Sequence, residues 1–135
     1  MSKWLTLDFL PRNVDLGLLV LRLGLGVPML TLHGWGKLSS LLAGEAKIPD
    51  VLGIGSMATL ILAVLAEFVG SALVILGLWT RLAAAFLIAM MGCAFVLVHK
   101  FALTGGNSGE KALIFLVGFV VIFLAGAGKY SFDKK

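Results

Sequence analysis

An all-α integral membrane protein, folded as a transmembrane four-helix bundle, is what this sequence predicts, and three observations predict it. Sixty per cent of its 135 residues are hydrophobic and only 13% are charged, against about 45–50% and about 25% in ordinary globular domains. Its length holds four spans of about 20 residues with their connections and hardly more. The apolar sequence is broken by clusters of glycine, proline, charged and small polar residues that divide it into four runs. A single domain over residues 1–135 follows, embedded in the lipid bilayer.

The segment Met1 to Asn13 carries Lys3, Asp8 and Arg12 and has no small-residue cleavage site behind an apolar stretch, so a removable signal peptide is not expected there. The first span is predicted over about 14–35. Asn13 is placed to cap it, Asp15 suits its first turn, and Pro28 is expected to kink it between Gly24, Gly26 and the polar end. Arg22, Met29 and His33 fall on one helical face, with Lys37 a turn further on. A charged group at such a depth costs at least roughly 2.5–3.5 kcal/mol on insertion scales, so it turns inward and finds a partner.

Residues 38–57 mix apolar side chains with Ser39, Ser40, Gly44, Glu45, Lys47, Pro49, Asp50, Gly53 and Gly55, which reads as a long outer connection lying on or over the bundle. The second span is predicted over about 58–77 with Glu67 at its centre. Gly77 ends it, and Thr80 is expected to cap the third, over about 81–101, which closes on His99 and Lys100. After the loop Thr104–Gly109, Asn107 and Glu110 have capping-box spacing and start a fourth helix over about 110–127. The tail after Gly128 is expected at the interface and then in solvent. Trp4, Trp35, Trp79 and Tyr130 fall near predicted helix ends, where interfacial aromatics belong.

Four spans put both termini on one side. That side carries Lys3, Arg12, Arg81, Lys129, Lys134 and Lys135, the other Lys37, Lys47, Lys100 and Lys111, so the positive-inside rule places the termini in the cytoplasm. The net charge of +4 is topology. No basic face interleaved with aromatics is present, and nucleic acid is excluded as a partner.

Counting residues from the expected ends of the first two spans brings Arg22 and Glu67 within reach of one another, so an Arg22–Glu67 pair is predicted. His33, His99 and Glu110 end or begin helices on the same side. With Glu67 they make a set of imidazoles and carboxylates that can hold and move protons, and a quinone headgroup needs such partners for its carbonyls. Arg22, Glu67, His33 and Lys37 are the candidate quinone-binding residues; Glu67, His33, His99 and Glu110 are the candidate catalytic ones. Each has a plain alternative: His33, Lys37, His99 and Lys100 suit helix C-termini by charge–dipole attraction alone, Glu110 suits a helix start, and an Arg–Glu pair can serve packing only. No metal site is expected, because no two His, Asp or Glu residues lie three or four apart within one span. Cys93 stands alone inside a span, expected in the core, and offers no disulfide.

Arg22 and Gly26 with His33-Gly34 and Lys37, then Glu67, then Gly77-Leu-Trp-Thr-Arg81, then Glu110, and finally Gly126-Ala-Gly128-Lys-Tyr-Ser-Phe-Asp133 together resemble the DoxX family, from about Gly17 to Asp133. The resemblance implies a four-helix bundle in the bacterial inner membrane, related to the quinone-reducing membrane subunit of thiosulfate:quinone oxidoreductase. It implies too that some members serve membrane complexes that handle oxidative and thiol stress, and it carries Arg22, His33, Lys37, Glu67, Arg81 and Glu110 over as site positions. A single Cys93 cannot perform sulfur redox chemistry, so a quinone or a redox protein partner must supply the redox group. Three functions are therefore carried forward: a quinone-interacting subunit of a membrane oxidoreductase; a non-catalytic anchor or assembly partner that uses residues 38–57; and a small-solute or proton transporter, for which a homo-oligomer such as a dimer could build the pathway.

Overall fold

In the computed structural model, which describes residues 2–133, every regular element is helical, with no strand among the described residues. A single turn, α1 (Lys3–Thr6), leads into α2 (Val14–Leu42), α3 (Ser56–Leu76), α4 (Thr80–Val98) and α5 (Glu110–Ala125). The first three long helices are long and apolar enough to cross a membrane. The fourth has 16 residues, about 24 Å, against a hydrocarbon layer of roughly 30 Å. It packs along α4 and completes the bundle.

Small residues set the contacts between helices. A Cβ on Gly34 would stand 2.6 Å from the Glu67 carbonyl oxygen, and one on Gly26 would stand 2.7 Å from Ile75 Cγ1. Those two glycines therefore lay α2 directly on the backbone and side chains of α3. Ala83 and Ala84 do the same for α4, in a core shared with Met29, Val74, Leu87, Met91, Phe119 and Ile122. Leu82, Phe86, Val117 and Leu124 face outward, as a lipid-facing surface requires.

The expected helices are present with shifted ends. Asn13 caps α2 as expected, its Oδ1 accepting from Leu16 N at 3.0 Å. The helix does not stop near Trp35; it continues to Leu42, so Trp35 lies inside it and the connection shrinks to residues 43–55. At Pro28 the chain passes into a wide π-helical turn, Met29–Gly34. Proline supplies no amide to the ladder, and the Thr31 hydroxyl donates to the Val27 carbonyl at 2.8 Å, so the register can widen without leaving that oxygen bare.

Two expected caps are replaced. Thr80 does not cap α4; the Asp133 carboxylate does, accepting from Trp79 N and Thr80 N at 2.8 Å each. Asn107 and Glu110 form no capping box, since the Asn107 amide donates to the Val98 carbonyl and the Glu110 amide donates to Ser108 Oγ. The tail is folded back rather than solvated. Asp133 N donates to the Gly77 carbonyl at 2.8 Å, and Lys129 N donates to Asp15 Oδ1 at 3.0 Å. Lys134 and Lys135, which entered the charge count, lie outside the described residues.

Candidate functional site

Three π-helical turns contribute side chains to one cavity: Met29–Gly34 in α2, Leu65–Gly70 in α3 and Ala94–Val98 in α4. Each inserts an extra residue into its helix and re-aims the side chains around it, and single π turns recur at functional sites. The first carries His33 and the second Glu67; the third runs into His99. Nothing in the sequence besides Pro28 marks them.

Gly34 lets α2 touch α3 at the Glu67 backbone, and one turn later Lys37 reaches the Glu67 carboxylate. Its Nζ lies 2.9 Å from Oε2 and 3.0 Å from Oε1, the better-aligned hydrogen bond being to Oε1. The carboxylate is nearly sealed, its side chain only 5% exposed, while the lysine is 27% exposed. A buried charge of this kind is retained only with a close counter-charge.

The pair lies in the wall of a cavity of about 580 Å³. Met29 and His33 come from α2, Ala63 and Ala66 from α3, Met90, Cys93 and Ala94 from α4, and Ala112 and Phe115 from α5. Ile48, Pro49, Val51 and Leu52 of the connection cover it. The cover is tied down by Asp50, whose Oδ1 accepts from Ile54 N and the Thr59 hydroxyl and whose Oδ2 accepts from Gly55 N. Leu42, Ile54 and Met57 of the 38–57 segment stay exposed and do not line the cavity.

His33 meets the Phe115 ring edge-on at 5.8 Å between centroids, and Glu67, Lys37 and Lys111 all lie within electrostatic range of it. His99 also lines the cavity, with Nδ1 3.2 Å from the Asn107 carbonyl oxygen. Among the sequence candidates, then, the structure brings together His33, Lys37, Glu67 and His99. Glu110 is exposed and does not line the cavity. Lys111 does, and so does Cys93, half-buried rather than in the core. Lys111 was missed in the sequence although it lies four residues before Phe115, on the same face of α5. No group of three or more His, Cys, Asp or Glu able to hold a metal occurs among the described residues.

Arg22 is not the partner of Glu67. With α2 and α3 antiparallel and Gly34 level with Glu67, Arg22 lies about 18 Å further along the axis, a span its side chain cannot bridge. The expected pair rested on α2 ending near Gly34. Arg22, 0% exposed, instead closes the other end of the bundle: Nη1 donates to the Val74 and Ile75 carbonyls at 3.1 Å each, and Nη2 donates to the Tyr130 carbonyl. The Val74 and Ile75 carbonyls lie in the last turn of α3, at the negative end of its dipole. Gly77, at φ +69, makes room, since a Cβ there would meet Ser131 and the guanidinium. Burial alone would push the Asp133 carboxyl up, but the Thr80 side chain and amide, the Trp79 amide and the Arg22 charge hold it below its ordinary value. Arg81 belongs to this end as well, donating from Nε to the Phe123 carbonyl at 2.9 Å with its guanidinium over the Phe123 ring.

The fold and this charged cavity define a helical membrane protein with an internal cavity, and comparison with known proteins gives the family. The DoxX family matches residues 17–100. The chain is 32% identical over 123 residues to the inner membrane protein YqjF of Escherichia coli K12, covering 89% of this chain and 92% of that protein. It is 33% identical over 116 residues to an uncharacterized protein of Haemophilus influenzae, covering 79% and 81%. No solved structure matches. The chain belongs to the DoxX family.

Proposed function

We propose that this protein is a quinone-interacting subunit of a membrane oxidoreductase system, residing in the bacterial inner membrane with cytoplasmic termini. The observation that carries this reading is the Lys37–Glu67 pair set into the wall of a predominantly apolar cavity. A pair needed only to join α2 to α3 has no use for a 580 Å³ space beside it. Binding sites for amphipathic molecules, by contrast, combine apolar walls with a few placed polar groups.

The residues fit a quinone headgroup. Lys37, Lys111 and a protonated ring nitrogen of His33 or His99 are donors for its carbonyl oxygens, and Phe115, Met29 and Phe86 offer apolar and aromatic surface. A bound quinone would supply two-electron redox chemistry, which this chain's own side chains lack. Glu67 and His33 are the groups beside it able to accept and release a proton. Location in the inner membrane is supported by the name of the E. coli relative, and the orientation by six Lys and Arg on the termini side against four on the other.

Mass spectrometry of solvent extracts from protein purified in mild detergent tests the reading. Near-equimolar quinone with the wild type and none with Glu67→Gln is expected. Quinone absent from both, in folded protein, would favour the assembly-partner function instead.

A further inference from the structure

The polar groups of the cavity are unevenly charged. Among the described lining residues two ammonium groups, Lys37 and Lys111, face one carboxylate, Glu67, alongside the imidazoles of His33 and His99 and the free thiol of Cys93. Lys37 is taken up by Glu67. Lys111 has no ion-pair partner among the described residues, and Glu110 beside it does not line the cavity. Lys111 is exposed, on the first turn of α5, and Ser108, which precedes that helix, also lines the cavity. The mouth thus combines one free cation, a hydroxyl and imidazoles, while the body behind it is aliphatic and aromatic. Phe86 and Leu62, which line that body, are also 58% and 41% exposed on the bundle's apolar outer surface, so the space is open toward the hydrocarbon.

We infer that the cavity binds an anionic amphiphile, with a carboxylate or phosphate head held by Lys111 at the mouth and an acyl or similar apolar body lying between α3, α4 and the 48–52 cover. The inference rests on the cavity being a ligand site, as proposed above, but not on the ligand being a quinone. An ammonium with no internal counter-charge at the edge of a low-dielectric space attracts an anion more strongly than it would in water. A charge-assisted hydrogen bond between them favours the ionised head over a neutral one of the same size. The Lys37–Glu67 pair, already neutral as a unit, offers no net charge to compete with Lys111 for the head.

Native mass spectrometry of the full chain released from neutral detergent micelles tests it, with two matched pairs of probes: oleate against methyl oleate, and oleoyl lysophosphatidate against monoolein. The acidic member of at least one pair is expected to bind roughly tenfold more tightly or better, the size of one charge-assisted hydrogen bond. Preference in the oleate pair identifies a carboxylate head and in the lysophosphatidate pair a phosphate head, and either supports the inference. Lys111→Gln is expected to bring the ratio near one and Lys111→Arg to keep it. Equal binding within both pairs, or a preference that survives Lys111→Gln, overturns the inference. If quinone copurifies while neither acid is preferred, the anion inference falls and the quinone reading stands; if no probe and no quinone binds, both fall.

Discussion

The two ends of this bundle each bury an ionised side chain, and they bury it differently. Arg22 is enclosed by backbone: two carbonyls from the end of α3, one from the tail, and the tail's Asp133 nearby. The polar contacts are local to a helix end, and removing the tail would expose them. Glu67 has one side-chain partner and a cavity. The first arrangement converts a charge into a clamp that closes α2, α3 and the C-terminal segment on one another. The second holds a charge next to open space, where it is available to something else. Burial of an ionisable group in a membrane span is therefore not itself a sign of function; what surrounds the group decides.

The sharpest way to break this comparison is Arg22→Met. It removes the guanidinium donor from the Val74, Ile75 and Tyr130 carbonyls and the positive charge near Asp133, and loss of at least roughly 3 kcal/mol is expected, read as a fall in thermal unfolding temperature or as aggregation in detergent. Gly34→Ala attacks the other end through backbone: a Cβ 2.6 Å from the Glu67 carbonyl and 2.8 Å from Phe68 Cα forces α2 away from α3. About 1–3 kcal/mol is expected, with loss of any quinone or acid bound in the cavity. Gly36→Ala, where no atom lies within 4 Å, is the control and should be neutral or slightly stabilising.

A smaller effect is expected at Asp133, which caps α4. Asp133→Asn should cost about 1 kcal/mol without changing ligand content. Its carboxyl lies below its ordinary value of 3.8 in the folded protein, so the unfolded chain binds its proton first as pH falls. The stabilisation is complete above that ordinary value and is lost as pH drops through the lowered native one. A pH series of unfolding temperatures should show this decline in the wild type and a flatter course in Asp133→Asn. Glu67→Gln is expected to change stability least, by under about 1 kcal/mol, because Lys37 is part-exposed and can turn to solvent.

Much of this was legible in the sequence. Composition and punctuation gave four helices close to their observed positions, and helical spacing put Met29, His33 and Lys37 on the cavity face of α2. Glu67 stood out as a lone carboxylate in a span. The pairing failed because it depended on where α2 ends: Trp35-Gly36-Lys37 reads as an exit, yet the helix continues through Ser39 and Ser40, with Ser39 Oγ donating to the Trp35 carbonyl at 3.0 Å. An error of two turns in that end moved every depth on α2 relative to α3. The Asp133 cap was illegible for another reason, since it joins positions 53 residues apart and local capping rules see only neighbours. Lys111 was illegible because a lysine in the first turn of a helix reads as a solvated surface charge, and only the packing of α5 against the cavity brings it into the lining.

The division of labour between the two ends is tested most directly by measuring bound quinone and unfolding temperature on the same preparations of wild type, Glu67→Gln and Asp133→Asn. The account predicts a crossover: Glu67→Gln keeps its unfolding temperature and loses quinone, whereas Asp133→Asn unfolds at a lower temperature and retains it. Glu67→Gln that unfolds early while Asp133→Asn remains unchanged, or quinone content equal in all three, would contradict it.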